Sequence, residues 1–220
     1  MSAVVLPLGS FLLALALWYF SFALRWGNFW LKISFSAALL AALSLAAMDS
    51  DRVRLFTLAP RDLYWGFGSA TALYLIFWAG RELSTRLLPF SRREIEAVYG
   101  KRGTMPAVLI ALLLFFITGP GEEIYWRGGL QNSLMILLDP WSGWLVASAL
   151  YGLVHIWTKN FTLIMAALIA GFFWGFIYLR TGSLTPVIIS HSLWSVAIFT
   201  LWPLRQKLPP NPITQLRRLW

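Results

Sequence analysis

The chain has 220 residues, of which 59% are hydrophobic and only 12% are charged, whereas soluble domains are about one quarter charged. An apolar excess of this size excludes an ordinary soluble domain and requires lipid as part of the solvent. The chain has no cysteine, which excludes disulfides, a thiolate nucleophile and thiolate metal ligands. The net charge of +9 does not indicate nucleic-acid binding, because the basic residues lie mostly between apolar runs, as the positive-inside rule describes.

A membrane-spanning helix needs about 20 mostly apolar residues. Runs that approach or reach this length predict an all-α polytopic transmembrane bundle of about seven spans, at 4–24, 29–48, 63–80, 105–138, 141–157, 161–179 and 184–204. The first run is not followed by a signal-peptide cleavage motif, so we expect it to be a retained helix.

The long polar stretch at 81–103 follows the third apolar run. Its interrupted amphipathic pattern fits a helix on the membrane surface, and a plain solvated loop fits equally well. Residues 105–138 are predicted to form one long helix, kinked near Pro120. If 121–138 crossed separately, the basic tail at 205–220 would lie on the opposite side from 81–103. The single-helix interpretation places the C-terminus in the cytoplasm and the N-terminus outside, in a plasma (inner) membrane.

Few ionisable residues lie inside the apolar runs. Lys32 is near a helix end, where its long side chain can reach the membrane boundary. The others are Glu122, Glu123, Arg127, His155 and His191. Ionisable groups are costly in a membrane and normally face a bundle interior or a wet cavity, so we treat each as a candidate site residue.

Helical spacing separates the two glutamates. Glu123 and Arg127 stand at i and i+4, with the acid on the N-terminal side, which is the favourable orientation for an ion pair. Glu122 has no basic residue three or four positions later and is therefore left free for a general-base role. The alternative interpretation is that all three residues form a structural salt-bridge cluster.

Each histidine has a polar or aromatic residue four positions away on the same helix face. Tyr151 can buttress the imidazole of His155, and Ser195 can join His191 in donating hydrogen bonds to a developing oxyanion. Viewed alone, each pair is more typical of a structural polar contact. The occurrence of both histidines together with the glutamates favours a catalytic interpretation.

Three short motifs resemble those of one family. "EEIYWR" matches E-E-x-x-x-R, "YGLVH" resembles F-x-x-x-H with Tyr151 in place of Phe, and "HSLWS" resembles H-x-x-x-N with Ser195 in place of Asn. These motifs resemble the CPBP family of intramembrane proteases, which is also called the CAAX protease and bacteriocin-processing or Abi family. Type II CAAX prenyl endopeptidases and lysostaphin-resistance-like proteins are related to it.

The resemblance implies a helical bundle around a wet conical cavity. It implies that Glu122 and His155 activate a water and that His191, with residue 195, stabilises the oxyanion. Glu123 and Arg127 form the scaffold. The replacement of Asn by Ser195 shortens one donor and puts activity in question. The chain then divides into N-terminal spans with the polar stretch (1–104), a catalytic core (105–204) and a basic tail (205–220).

The predicted function is hydrolysis of a peptide bond in a membrane-associated or lipidated protein or peptide, with membrane lipids as further partners and no nucleic acid. The favoured reaction uses no cofactor. The alternative uses Zn²⁺ held by one glutamate and the two histidines, although no H-E-x-x-H motif is present. A non-catalytic immunity or scaffold protein of the same fold, and a small proton-relaying transporter, are the competing functions.

Overall fold

The structure, a computed structural model, describes residues 2–48 and 55–204, with side chains from residue 9 onward. This part of the chain is largely helical and contains no strand, which confirms the predicted all-α class. The predicted basic tail at 205–220 lies outside the described residues.

Eight helices follow one another along the described residues. They are α1 (Ser2–Phe22), α2 (Phe29–Ala46), α3 (Pro60–Leu87), α4 (Ser91–Gly100), α5 (Ala107–Leu137), α6 (Pro140–Leu153), α7 (Phe161–Thr181) and α8 (Leu184–Leu201). Two short 3-10 turns, at Lys101–Thr104 and Val154–Thr158, precede α5 and follow α6.

Several of these helices begin at a side-chain cap. A cap side chain accepts a hydrogen bond from one of the first backbone N–H groups, which have no partner inside the helix. The caps are Asn28 on Trp30 N (2.9 Å), Asp139 on Trp141 N (2.9 Å), Asn160 on Leu163 N (2.8 Å) and Ser183 on Thr185 N (3.3 Å). These helix starts are therefore encoded locally, by a polar residue immediately before an apolar run.

Four of the helices are long and apolar enough to cross a membrane, namely α2, α5, α7 and α8. The described apolar part of α1, Gly9–Phe22, is shorter, and α6 has 14 residues. Helix α3 has 28 residues and continues past its apolar part into the polar stretch. The chain is therefore a helical membrane bundle, and the count of about seven spans stays a prediction.

The polar stretch after the third run is mostly helical. Helix α3 ends at Leu87, and α4 forms a separate short helix, so the plain-loop alternative is wrong. The location of this stretch on the membrane surface stays a prediction. The carboxylate of Glu94 on α4 accepts hydrogen bonds from Thr162 N (2.8 Å), Thr162 Oγ1 (2.7 Å) and Phe161 N (3.2 Å). Because these groups lie in the first turn of α7, Glu94 fixes α4 against the start of that helix.

Helix α5 runs without interruption for 31 residues, which confirms the single-helix prediction. Its segment Leu114–Thr118 is π-helical and directly precedes Gly119 and Pro120. Proline has no N–H and frees a carbonyl one turn earlier, and a π turn is one way in which a helix absorbs the mismatch. The carbonyl of Phe115 accepts a hydrogen bond from Ser192 Oγ of α8 at 3.0 Å, so a neighbouring helix supplies a donor to a carbonyl in this π-helical segment.

The glycines beside Pro120 allow close helix packing. A Cβ at Gly119 would lie 2.7 Å from Ser192 Oγ, and one at Gly121 would lie 2.9 Å from Ala37 O. Both distances are too short for a side chain, so these glycines let α5 approach α8 and α2. Their role here is close contact between helices.

One hydrophobic core joins the N-terminal helices to the rest of the bundle. Trp18 of α1 packs edge-on against Trp126 of α5, with ring centroids 5.7 Å apart, and both belong to the same buried cluster as Trp174 of α7. The division at residue 104 stays a prediction about sequence regions, because the packed core contains side chains from both sides of it.

Candidate active site

A cavity of about 320 Å³ lies inside the bundle, and residues of all eight helices line it. Most of the lining is apolar, as is typical of ligand cavities with a few convergent polar groups. The structure brings the predicted site residues together there, since the lining includes Glu122, Tyr151, His155, His191 and Ser195.

Glu123 is fully buried and organises the charges next to this cavity. Its Oε1 atom accepts a hydrogen bond from Arg127 Nη1 at 3.0 Å, which confirms the predicted ion pair. The same oxygen lies 2.6 Å from Nδ1 of His191. This second contact is not predictable from local spacing, because it joins α5 to α8 across the bundle.

Arg127 is also buried and contacts two further elements. Its Nη2 donates to the carbonyl of Gly171 on α7 at 3.2 Å, and its Cζ lies 4.8 Å from the centroid of the Tyr151 ring. Arginine suits this position because its guanidinium has several N–H donors in fixed directions and can also lie against the aromatic ring of Tyr151. The guanidinium therefore connects α5, α6 and α7 around Glu123.

Glu122 lies one residue away and has a different partner. Its Oε2 accepts a hydrogen bond from Tyr151 Oη of α6 at 2.8 Å. The expectation that Glu122 is left free is therefore wrong. It was based on partners within the same helix, whereas the phenol arrives from another helix.

His155 has a partner on each ring nitrogen. Nδ1 lies 2.8 Å from the carbonyl of Tyr151, and Nε2 lies 3.3 Å from the indole Nε1 of Trp18. An indole N–H can only donate, so Nε2 accepts and Nδ1 carries the hydrogen that is donated to the carbonyl. His155 is therefore held as the neutral Nδ1–H tautomer.

Sequence reasoning missed Trp18 as a site residue. Trp18 lies in the first apolar run, where a tryptophan is equally typical of the aromatic belt at a membrane boundary. No motif distinguishes it from the other tryptophans of the chain. Only the packing of α1 against the 3-10 turn Val154–Thr158 brings its indole to His155.

His191 is oriented by two contacts on different sides of its ring. Nδ1 meets Glu123, and the ring stacks on Trp174, with centroids 4.0 Å apart and planes 18° apart. The Trp174 indole is itself fixed by a 3.0 Å hydrogen bond to Ser190 Oγ. Ser195 follows one turn later on α8, is 3% exposed, and lines the cavity together with His191.

The zinc alternative requires one glutamate and two histidines arranged around a common point. Among the described residues, the structure brings no three His, Cys, Asp or Glu side chains into an arrangement that could hold a metal ion. The nitrogens of His155 face Tyr151 and Trp18, and Nδ1 of His191 faces Glu123. A Glu–His–His zinc set does not fit this arrangement, and we derive no step through a metal.

The fold and the site define a class of protein, namely a helical membrane protein with acid–base side chains around an internal cavity. Residues 104–197 match the family model described as "Type II CAAX prenyl endopeptidase Rce1-like", so this part of the chain is similar to that family. The match supports a CAAX-protease-like membrane peptidase. It contains every predicted site residue, whereas Trp18 lies outside it. No curated protein and no solved structure matches the chain.

Proposed function

We propose that the protein is an intramembrane endopeptidase that hydrolyses a peptide bond of a membrane-associated or lipidated protein or peptide. The observation that carries the proposal is the convergence of Glu122, Tyr151, His155, His191 and Ser195 on one largely apolar cavity. Residues 104–197 of the same chain match an Rce1-like family model, which supports this proposal.

Glu122 is the proposed general base. Its Oε2 is held by Tyr151, which leaves Oε1 to accept a proton from a water. As the water oxygen bonds to the scissile carbonyl carbon, its proton passes to Glu122 and the carbonyl oxygen becomes an oxyanion. When the C–N bond breaks, Glu122 returns the proton to the leaving amine. The cleavage needs no oxidant or other co-reactant.

His155 positions the water in this scheme. Its Nε2 lone pair is shared with Trp18 at 3.3 Å, which is longer than an ordinary N–H hydrogen bond. A water can therefore compete for this lone pair while the Nδ1 contact holds the ring. His155 and Glu122 are linked through Tyr151, whose carbonyl contacts one and whose hydroxyl contacts the other.

His191 and Ser195 stabilise the oxyanion. Nδ1 of His191 faces Glu123 at 2.6 Å, so Nε2 is the ring nitrogen that remains to donate to the oxyanion. The Ser195 hydroxyl adds a shorter donor at the position of the family's asparagine.

The lining supports the proposed substrate class. Apolar side chains such as Phe77, Ile95 and Phe199 line the cavity, and Arg81 and Lys101 add positive charge. A peptide carrying a lipid group or an apolar segment fits this lining better than a fully hydrated peptide does.

One observation favours the alternative of a non-catalytic membrane immunity or scaffold protein. Glu122 and His155 both hydrogen-bond to protein groups, as structural polar residues do. The deciding experiment compares protein termini in membranes from cells expressing wild type, Glu122→Gln or Glu96→Gln at equal levels. We expect a new terminus with wild type and with Glu96→Gln, a carboxylate outside the cavity lining, and none with Glu122→Gln. The same termini in all three samples would contradict the enzyme.

The metal-free reaction has its own test. Phenanthroline applied to the purified protein is expected to leave cleavage of the identified substrate unchanged. Inhibition that added zinc reverses would establish the metal-dependent alternative.

The proposed location is the plasma (inner) membrane, with the N-terminus outside and the C-terminus in the cytoplasm. Because the chain has no cysteine, single cysteines report sidedness without background. An impermeant maleimide is expected to label Arg180→Cys in intact cells and Lys159→Cys only after lysis, since Lys159 precedes α7 and Arg180 lies in its last turn. The opposite pattern would invert the proposed orientation.

A further inference from the structure

A second recess lies at one end of the bundle, outside the catalytic cavity. It has a volume of about 480 Å³ and is bounded by the connection between α1 and α2 and by the 3-10 turn Lys101–Thr104 that leads into α5. Its charged lining side chains are Arg25, Lys32 and Lys101, and no carboxylate is among its described lining residues. The recess is therefore positively charged.

Lys32 is the most buried of these cations, at 7% exposure. Its ammonium donates to the carbonyl of Phe20, in the last turn of α1, at 3.0 Å and to that of Leu24, just after the helix, at 2.6 Å. A cation is favourable at this end of a helix. An ammonium has three hydrogens, so one remains for a further acceptor. Within residues 9–48 and 55–204, no acidic side chain forms an ion pair with Lys32.

Lys101 lies across the recess, with Nζ 4.3 Å from the centroid of the Phe29 ring. Burial and, to a smaller extent, the positive charge of Lys32 lower the pKa of Lys101. The two ammonium groups are thus close enough to repel each other. An anion between them would replace that repulsion with two attractive contacts.

The walls of the recess are tied together. Asn28 Nδ2 donates to the carbonyl of Thr104 at 2.9 Å, and the Trp30 indole donates to the carbonyl of Lys101 at 3.0 Å. These bonds join the start of α2 to the turn before α5. The cations are consequently presented by a fixed frame, and the positive N-terminal end of α2 adds to them.

We propose that this recess binds the phosphate group of an anionic phospholipid from the surrounding membrane. Helix ends meet at this recess, and Trp26 beside Arg25 is 64% exposed, as aromatic residues at a membrane boundary are. Beyond the recess, α2 exposes Leu31 and Phe35 one turn apart, which provides an apolar path for an acyl chain. A free phosphate ion would use the cations and leave that path empty.

The headgroup would lie directly beside the catalytic cavity. Phe22, Phe29 and Lys101 line both the recess and the cavity. A bound lipid therefore borders the space assigned to the substrate. The lipid site rests on charge and shape alone, so it stands or falls independently of peptidase activity.

Native mass spectrometry of the delipidated full chain tests the proposal, with phosphatidylglycerol, phosphatidylcholine of the same acyl chains, and inorganic phosphate as probes. The test variant is Arg25→Gln/Lys101→Gln, which leaves Lys32 to cap α1. The matched control is Lys159→Gln/Arg180→Gln, which removes the same charge from exposed positions elsewhere. Thermal unfolding in detergent checks that each variant is folded.

We expect wild type to bind phosphatidylglycerol more tightly than phosphatidylcholine, the test variant to lose roughly tenfold in phosphatidylglycerol affinity, and the control to lose less than about twofold. Equal losses in both variants would overturn the site in favour of diffuse surface charge. Equal binding of the two lipids by wild type would overturn phosphate recognition, and it decides the matter even if the test variant does not fold. Inorganic phosphate that binds as tightly as phosphatidylglycerol would overturn the lipid as the source of the phosphate.

Discussion

The hydroxyl of Tyr151 donates a hydrogen bond to Oε2 of Glu122 at 2.8 Å, and the carbonyl of the same residue contacts Nδ1 of His155 at 2.8 Å. One residue of α6 therefore fixes both members of the proposed water-activating pair. The family motif that this region resembles has phenylalanine here. In this chain the extra hydroxyl gives the proposed base a partner from another helix.

Substitution of Tyr151 by phenylalanine tests that role. Tyr151→Phe keeps the ring against Arg127 and removes one hydrogen bond to a charged group, so we expect the cleavage rate to fall roughly tenfold in the folded protein. Tyr125→Phe is the matched control, because that buried phenol accepts a bond from Ser10 and does not line the cavity. The rate of appearance of the new substrate terminus measures both. Equal rates for the two variants would show that the hydroxyl does not position Glu122.

The indole of Trp18 is expected to matter through its N–H group. Trp18→Phe retains an aromatic ring against Trp126 and removes the donor to Nε2 of His155, so the imidazole loses one of its two fixed contacts. The freed lone pair is open to water, but the ring is then held by its Nδ1 contact alone, and we expect this loss of orientation to make cleavage severalfold to roughly tenfold slower. Trp157→Phe removes an indole bond to the carbonyl of Leu15 in the same region and should leave the rate nearly unchanged. If Trp18→Phe cleaves as fast as wild type, the N–H group of Trp18 does not contribute to the reaction and the side chain serves packing alone.

Glu123 is expected to be the most important single side chain for stability at the site. Glu123→Gln leaves the buried Arg127 without its carboxylate, and an unpaired buried charge costs about 3–5 kcal/mol. Glu82→Gln breaks the more exposed ion pair with Arg81 and should cost less than about 1 kcal/mol. Thermal or denaturant unfolding in detergent compares them. Similar losses for both variants would mean that the site is hydrated enough to solvate Arg127.

Glu94 is expected to hold α4 in place. Glu94→Gln weakens the bonds to the backbone of Phe161 and Thr162 because it removes the negative charge at the start of α7, with a loss of about 1 kcal/mol. Hydrogen–deuterium exchange should then speed up in 91–100. Arg92→Gln changes an exposed residue of the same helix and serves as the control. Unchanged exchange in Glu94→Gln would show that apolar packing alone holds α4.

The cap of α6 gives a pH-dependent signal. Hydrogen bonds from the side chain and backbone of Ser142, with a further bond from Trp141, lower the pKa of Asp139 below its usual value. Because the folded pKa lies below the unfolded one, the cap stabilises fully above about pH 4 and its contribution is lost as pH falls further. The difference in unfolding midpoint between wild type and Asp139→Asn should therefore shrink between about pH 6 and pH 3. A difference that is constant with pH would show that the charge of Asp139 does not contribute.

The sequence by itself determined the class of fold, most helix positions and the chemical inventory of the site. Apolar run length predicts a membrane helix because lipid cannot satisfy backbone polar groups, so a run of this length forms a helix wherever it packs. The Glu123–Arg127 pair was also readable, since the two residues stand four positions apart in one helix.

The tertiary structure decided which residue meets which across the bundle. The contacts of Tyr151 with Glu122, of Trp18 with His155 and of Glu123 with His191 each join two elements far apart in the chain. Local spacing contains no information about such pairs, because they depend on how closely and at what rotation the helices pack. The glycines that let α5 approach its neighbours, and the π turn ahead of Pro120, set that packing and thereby assembled the site.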